Sequence, residues 1–181
     1  MALESAMVPL GSPLPAVSLP DVDGQHLDLQ AYRGGQPLLV VFACNHCPYV
    51  RHVEQLLAQM VNTADRLRTV AINPNDPVSH PDDGPEGMRE QIRRAGWTFP
   101  YLIDVTQDVA REFGAVCTPD FFLYDDAGRL SYRGAFDTST PKNDQPLDGH
   151  LLSEAIDAVI MGRPAPEPQR PSMGCGIKWL A

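Results

Sequence analysis

Pro37-Leu38-Leu39-Val40-Val41-Phe42-Ala43-Cys44-Asn45-His46-Cys47-Pro48 is an apolar run that ends in a C-x-x-C pair. The run Leu38–Ala43 has no polar break and predicts a buried strand from the middle of a parallel sheet. After Pro48, apolar residues at Val50, Val53, Leu56, Leu57, Met60, Val61 and Ala64 recur in steps of three and four. That spacing predicts a helix over 48–67. A cysteine pair at a strand end that opens a helix is set up for redox chemistry. The unpaired N–H groups and dipole of the helix N-terminus stabilise a thiolate. The two-residue spacer lets one thiol resolve a mixed disulfide formed by the other. The competing reading is a structural or zinc-binding pair. A four-cysteine zinc site needs a second C-x-x-C, and the remaining cysteines, Cys117 and Cys175, stand alone.

Working outward, strands and helices alternate. Val17-Ser18-Leu19 and Leu27-Asp28-Leu29 flank Asp23-Gly24 and read as a hairpin. Thr69–Ile72 is the next apolar strand, followed by a Pro-rich loop over 73–85. A helix over 86–95 stops at Gly96, Tyr101–Ile103 is a short strand, and a helix over 106–113 stops at Gly114. Phe121–Tyr124 and Leu130–Arg133 form a second hairpin, and Leu151–Ile160 is the closing helix. The expected class is α/β, a central mixed β-sheet flanked by helices, with an N-terminal β-hairpin extension and a C-terminal tail. Residues 1–16 read as an extended lead-in, 17–161 as the domain, and 162–181 as a tail docked on it.

Bulk properties narrow the function. With 181 residues and 43% apolar content, the chain suits one globular domain. A formal charge of -9 argues against nucleic-acid binding, which draws on Lys and Arg. No apolar run is long enough to span a membrane. The first residues lack the basic and apolar regions of a signal peptide, so a cytoplasmic location is expected. In a reducing compartment a C-x-x-C is catalytic or metal-binding more often than a static disulfide.

Three segments together resemble one family: Phe42–Val50, Cys117-Thr118-Pro119-Asp120-Phe121-Phe122-Leu123, and Gly174-Cys175-Gly176-Ile177-Lys178-Trp179. They resemble the thioredoxin superfamily, in its peroxiredoxin-like (AhpC/TSA-like, redoxin) branch, over about Val17 to Trp179. The resemblance implies a thioredoxin-like fold. It also implies a cis Thr118-Pro119 peptide lying against Cys44 and Cys47, and dithiol–disulfide exchange without a cofactor or metal. Its implied partners are a protein disulfide or dithiol and a cellular thiol reductant, with the chain a monomer or homodimer.

The resemblance assigns attack to Cys44, expected to be exposed at the motif edge, and resolution to Cys47. His46, in the spacer, is expected to favour a thiolate and make the pair more oxidising. Thioredoxins carry a buried acid six residues before the first cysteine, and here that place is Leu38. Cys117 and Cys175 are either plain buried thiols or accessory redox partners, because spacing does not fix cysteine connectivity. Ile177 and Trp179 are expected to dock the tail by burying their side chains.

Two other functions compete. A thiol peroxidase would place Cys47 at the peroxidatic position, but the Pro and Thr/Ser slots of that pattern are Val40 and Cys44. A metal-binding module of the same fold would draw on His80 or His150 as a further ligand.

Overall fold

The computed structural model describes residues 2–180. The central sheet has five strands in the order β6-β5-β4-β8-β9. These are β4 (Leu38–Phe42), β5 (Arg68–Asn73), β6 (Tyr101–Ile103), β8 (Asp120–Tyr124) and β9 (Leu130–Gly134). The uninterrupted apolar strand β4 is in the middle, parallel to β5 and antiparallel to β8. Every residue of β4 and β8 is buried. The pleat of β4 divides the core, since successive side chains face opposite ways. Leu39, Val41 and Ala43 pack with both motif cysteines on one face, whereas Leu38, Val40 and Phe42 face a second cluster around Phe113 and Phe122. Leu38 is therefore on the sheet face opposite Cys44 and Cys47.

Helix α2 (Pro48–Val61) buries Val50, Val53, Leu57, Ala58 and Val61. Each large apolar side chain so buried contributes about 1.5–3 kcal/mol. The helix ends at Val61, short of the expected Leu67, at the Asn62-Thr63 turn. Helix α3 (Pro85–Ala95) starts with Pro85 in its first turn and stops at Gly96, whose φ of 71° is left-handed. Helices α4 (Asp108–Phe113) and α5 (His150–Ile160) complete the cover.

The N-terminal hairpin pairs β2 (Ser18–Pro20) with β3 (His26–Asp28). Leu29 belongs to a short helix, α1 (Leu29–Arg33), and not to the strand read from its alternation. The Asp28 side chain accepts the Ala31 N–H at 2.8 Å and caps that helix.

Both chain ends build a second sheet, β1-β10-β7, from β1 (Ala2–Glu4), β10 (Met173–Gly176) and β7 (Cys117–Thr118). Cys175 pairs with Thr118 on one side and with Ala2 on the other. Ile177 is buried, but Trp179 is 40% exposed. The indole does not enter the core as expected. It lies under the Arg111 guanidinium, 4.7 Å from ring centroid to Cζ, and so covers the charged group's apolar face.

Candidate active site

Strand β4 ends at Phe42 and helix α2 begins at Pro48, so Cys44–Cys47 forms the turn between them. Cys47 is the N-cap residue, in extended conformation, with Pro48 at the first helical position. This geometry puts the Cys47 sulfur at the positive end of the helix. The Val50 N–H faces the sulfur without forming a regular capping bond, and it lowers the energy of a thiolate there.

Cys44 and Cys47 are both fully buried, which corrects the expected exposure of Cys44. The cause is tertiary. Strand β7 lies over one side of the turn, and the 3-10 turn Pro81–Asp83 closes the other. Cys44 Sγ is 3.3 Å from Thr118 Oγ1, and Cys47 Sγ is 3.1 Å from the Thr118 carbonyl oxygen. The Thr118-Pro119 peptide is cis. The structure thus brings Cys44, Cys47, Thr118 and Pro119 together.

The two thiols are not equivalent. Hydrogen bonding from the neighbouring Cys44 thiol pulls the Cys47 pKa down to about 5 against the cost of burial. The thiol of Cys175 and the N–H groups of Val50 and Cys175 add to the stabilisation. The same bond, then burial, then the Asp83 carboxylate push Cys44 far above the usual thiol range. The Cys47 thiol donates to the Thr118 carbonyl, whereas the neighbouring thiols and N–H groups favour its anion, so of the two cysteines Cys47 is the more acidic.

Asp83 went unnoticed in the sequence. Its side chain is fully buried. Oδ1 accepts the N–H groups of Asn45 and His46 at 2.9 and 3.2 Å, and Oδ2 accepts the Asn75 amide at 2.8 Å. His46 Nδ1 approaches Oδ2 at 2.6 Å, out of line for a hydrogen bond. His46 thus faces the Asp83 carboxylate and stacks on His80 at 5.3 Å between ring centroids.

Ligand atoms of Cys44, His46 and Asp83 lie within 4.8 Å of one another and could hold a metal ion. His150 is not part of that group and pairs with Asp148 at the start of α5.

A polar network fixes the turn from behind. Arg94 bonds both oxygens of Glu54 at 2.7 and 3.1 Å and reaches Asn45 Oδ1 at 2.9 Å. Arg51 Nε donates to the Asn45 carbonyl at 2.9 Å. Gln91 bridges Glu54 and the Cys44 carbonyl, and Tyr101 donates to Gln91. Glu54 left a trace in the sequence, a carboxylate inside the stripe Val50-Val53-Leu57 that a helix turns inward. Gln91 and Arg94 left none.

The tail strand puts Cys175 opposite Thr118 and Gly176 opposite Cys117, and the Cys175 thiol and N–H face the Cys47 sulfur. Cys175 is partly exposed, and burial followed by the Cys47 charge raises its pKa to about 12. Cys117 is fully buried, with Sγ 4.0 Å from the Pro119 carbonyl, and burial raises its pKa beyond the usual range. Beside Pro119 a shallow groove is lined by Tyr49, His52, Asp137, Arg170 and Met173. Among the described residues, no helix is long and apolar enough to cross a membrane.

Comparison with known proteins places this site in a family. A search of curated proteins returned no match. A crystal structure of an uncharacterized conserved protein from Geobacillus kaustophilus is 42% identical. It superposes with a TM-score of 0.95 over 99% of this chain and 97% of that one. A hypothetical protein from Sinorhizobium meliloti 1021 is 39% identical, with a TM-score of 0.94 over 98% of each chain. A secreted Mycobacterium tuberculosis disulfide oxidoreductase shares the fold at 17% identity, with a TM-score of 0.62 over 79% of this chain and 96% of that one. The AhpC/TSA family model matches residues 10–133. The chain belongs to the AhpC/TSA family of thioredoxin-fold redox proteins.

Proposed function

We propose that the protein is a thiol–disulfide oxidoreductase that cycles Cys44 and Cys47 between dithiol and disulfide. The observation that carries this reading is geometric: Cys47 caps the N-terminus of α2, Cys44 lies three residues before it, and both sulfurs touch Thr118 of the cis Thr118-Pro119 turn. Cys47 is the attacking sulfur, because thiolate character decides which thiol attacks, and Cys44 resolves. This order reverses the one inferred from the sequence, for the reason that Cys44 carries no exposure advantage and faces Asp83.

In the forward half-cycle Cys47 attacks one sulfur of a substrate disulfide and expels the other as a thiolate. Cys44 then loses its proton and attacks Cys47, releasing the second substrate thiolate and leaving Cys44–Cys47 oxidised. The Asp83–His46 pair beside Cys44 is the acceptor for that proton, in the place of the acid that Leu38 does not supply. The groove beside Pro119 receives the substrate segment. Substrates are protein thiols or disulfides, and a cellular thiol reductant closes the cycle in a reducing cytoplasm.

The test is to oxidise the protein with a disulfide reagent, trap it in acid and map the bonded cysteines by mass spectrometry. A Cys44–Cys47 disulfide that a thiol reverses is the expected result. Both thiols remaining free to alkylate would sink the reading.

One observation favours a peroxidase as the second reading, namely that the thiolate is Cys47, the position a peroxidatic cysteine would take. Against it, Cys44 stands in the Thr/Ser slot, and Arg51 and Arg94 are both bonded to Asn45 and not to the sulfur. Stopped-flow oxidation of Cys47 by hydrogen peroxide separates the two, with slow reaction expected.

A further inference from the structure

Buried thiols raise a problem of access. Cys44, Cys47 and Cys117 have no exposed surface, so an external thiol reaches a Cys44–Cys47 disulfide only after the surrounding segments give way, as they must also for a substrate. One cysteine of the cluster is different. Cys175 is partly exposed, sits opposite Thr118 in the ladder, and packs against the core cluster that holds Cys44 and Cys47, with its thiol and N–H facing the Cys47 sulfur. Thr118, its partner in the β7–β10 ladder, contributes the carbonyl that touches Cys47 Sγ. We propose that Cys175 is a third redox cysteine, which takes over the Cys44–Cys47 disulfide as Cys47–Cys175 and presents it to the external thiol reductant. This inference rests on the oxidoreductase reading above and adds the route by which electrons enter.

The tail is shaped for that position. A Cβ at Gly174 would lie 2.0 Å from the Thr118 carbonyl oxygen, so only glycine lets the strand lie this close to the cis-Pro turn. A Cβ at Gly176 would lie 3.0 Å from the Leu3 side chain, which packs β1 against the outer side. Cys175 is thus clamped between β7 and β1.

The exchange is balanced. The Cys175 thiolate attacks Cys47, forming Cys175–Cys47 and releasing Cys44 as a thiolate that takes up the proton Cys175 gave up. No net oxidation occurs in this step. The reductant's thiolate then attacks Cys175 at the surface, expels Cys47 as its stabilised thiolate, and leaves a mixed disulfide on Cys175. A second reductant thiol attacks that mixed disulfide, so two reductant thiols become one disulfide and the protein returns to four thiols.

Two arms test this. In the first, a Cys44→Ser, Cys117→Ala protein is oxidised with diamide and its peptides are mapped without reduction. A Cys47–Cys175 disulfide is expected, and its absence overturns the proposal. In the second, oxidised Cys175→Ser protein, which retains Cys44–Cys47, is reduced with glutathione. Reduction slower than wild type by about tenfold or more is expected. Equal rates overturn the proposal. Mapping the oxidised wild type keeps the two readings apart, since a missing Cys44–Cys47 bond defeats the oxidoreductase reading itself. Should Cys175→Ser fold poorly, the first arm decides alone, because it leaves Cys175 in place.

Discussion

Replacing Cys44 by alanine removes the largest contribution to the acidity of Cys47, and its size follows from the geometry. The Cys44 S–H is the principal donor to the Cys47 sulfur. A hydrogen bond to a charged group is worth about 1.5–3 kcal/mol. At about 1.4 kcal/mol per unit, that is about one to two pKa units. Cys47, at about 5 in the wild type, is therefore expected to move to about 6–7 in Cys44→Ala. Cys44→Ser keeps a hydroxyl donor and should hold most of the shift. Thiolate absorbance at 240 nm, followed against pH in each variant, reads the change directly. The pH dependence of stability gives an independent check. The folded pKa of Cys47 lies below its ordinary 9.0, so its contribution is fully present above 9.0 and disappears as pH falls through about 5. The reduced wild type should gain thermal stability across that window through Cys47, and Cys44→Ala should begin to gain it one to two units later. A Cys47 that still titrates near 5 without Cys44 would refute the role given to Cys44.

Gly174→Ala should lower the melting temperature and speed alkylation of Cys175, because the new Cβ would collide with the Thr118 carbonyl and force β10 outward; unchanged melting and alkylation would contradict that close approach. Asp83→Asn removes a negative charge within 4.8 Å of Cys44 Sγ, so Cys44 should titrate lower in a Cys47→Ser background. The same change costs about 1–3 kcal/mol of stability, because an amide donor then faces His46 and Asn75. A Cys44 that does not move in that background would remove Asp83 from the proton path.

What the sequence revealed and what it hid divide by contact range. The strand–turn–helix around the C-x-x-C is legible because its signals are local. Apolar run, cysteine pair, Pro48 and a helical stripe sit within one stretch and agree with one another. Boundaries were less clear where a local pattern had two uses, as at Leu29, which continues an alternation yet follows the capping Asp28. The chemistry of the site is another matter. Asp83 lies in a Pro-rich loop with no periodicity, and it reaches the turn only because β5 and the 3-10 turn carry it there. The burial of Cys44 depends on that loop and on β7, neither of which its own neighbours in sequence announce.

The tail shows most plainly why residue identity and residue role come apart. Gly174-Cys175-Gly176 reads as a flexible segment with one thiol, since glycine adds backbone freedom. In the fold the two glycines act in the opposite sense. They remove side chains so that two strands can close on Cys175 from both sides, with Ala2 across one ladder and Thr118 across the other. The freedom of glycine in the unfolded chain is exchanged for an approach that no larger residue could make. It follows that the acidity of Cys47 is a property of both chain ends as well as of the C-x-x-C. Its stabilising donors come from Cys44 inside the motif, Val50 in the helix it opens, and Cys175 in a strand at the far end of the chain. A thioredoxin-like core that carries the same motif without this terminal sheet would lack the last of these donors. Its second cysteine would then be the weaker acid, by the share of stabilisation that β10 supplies here.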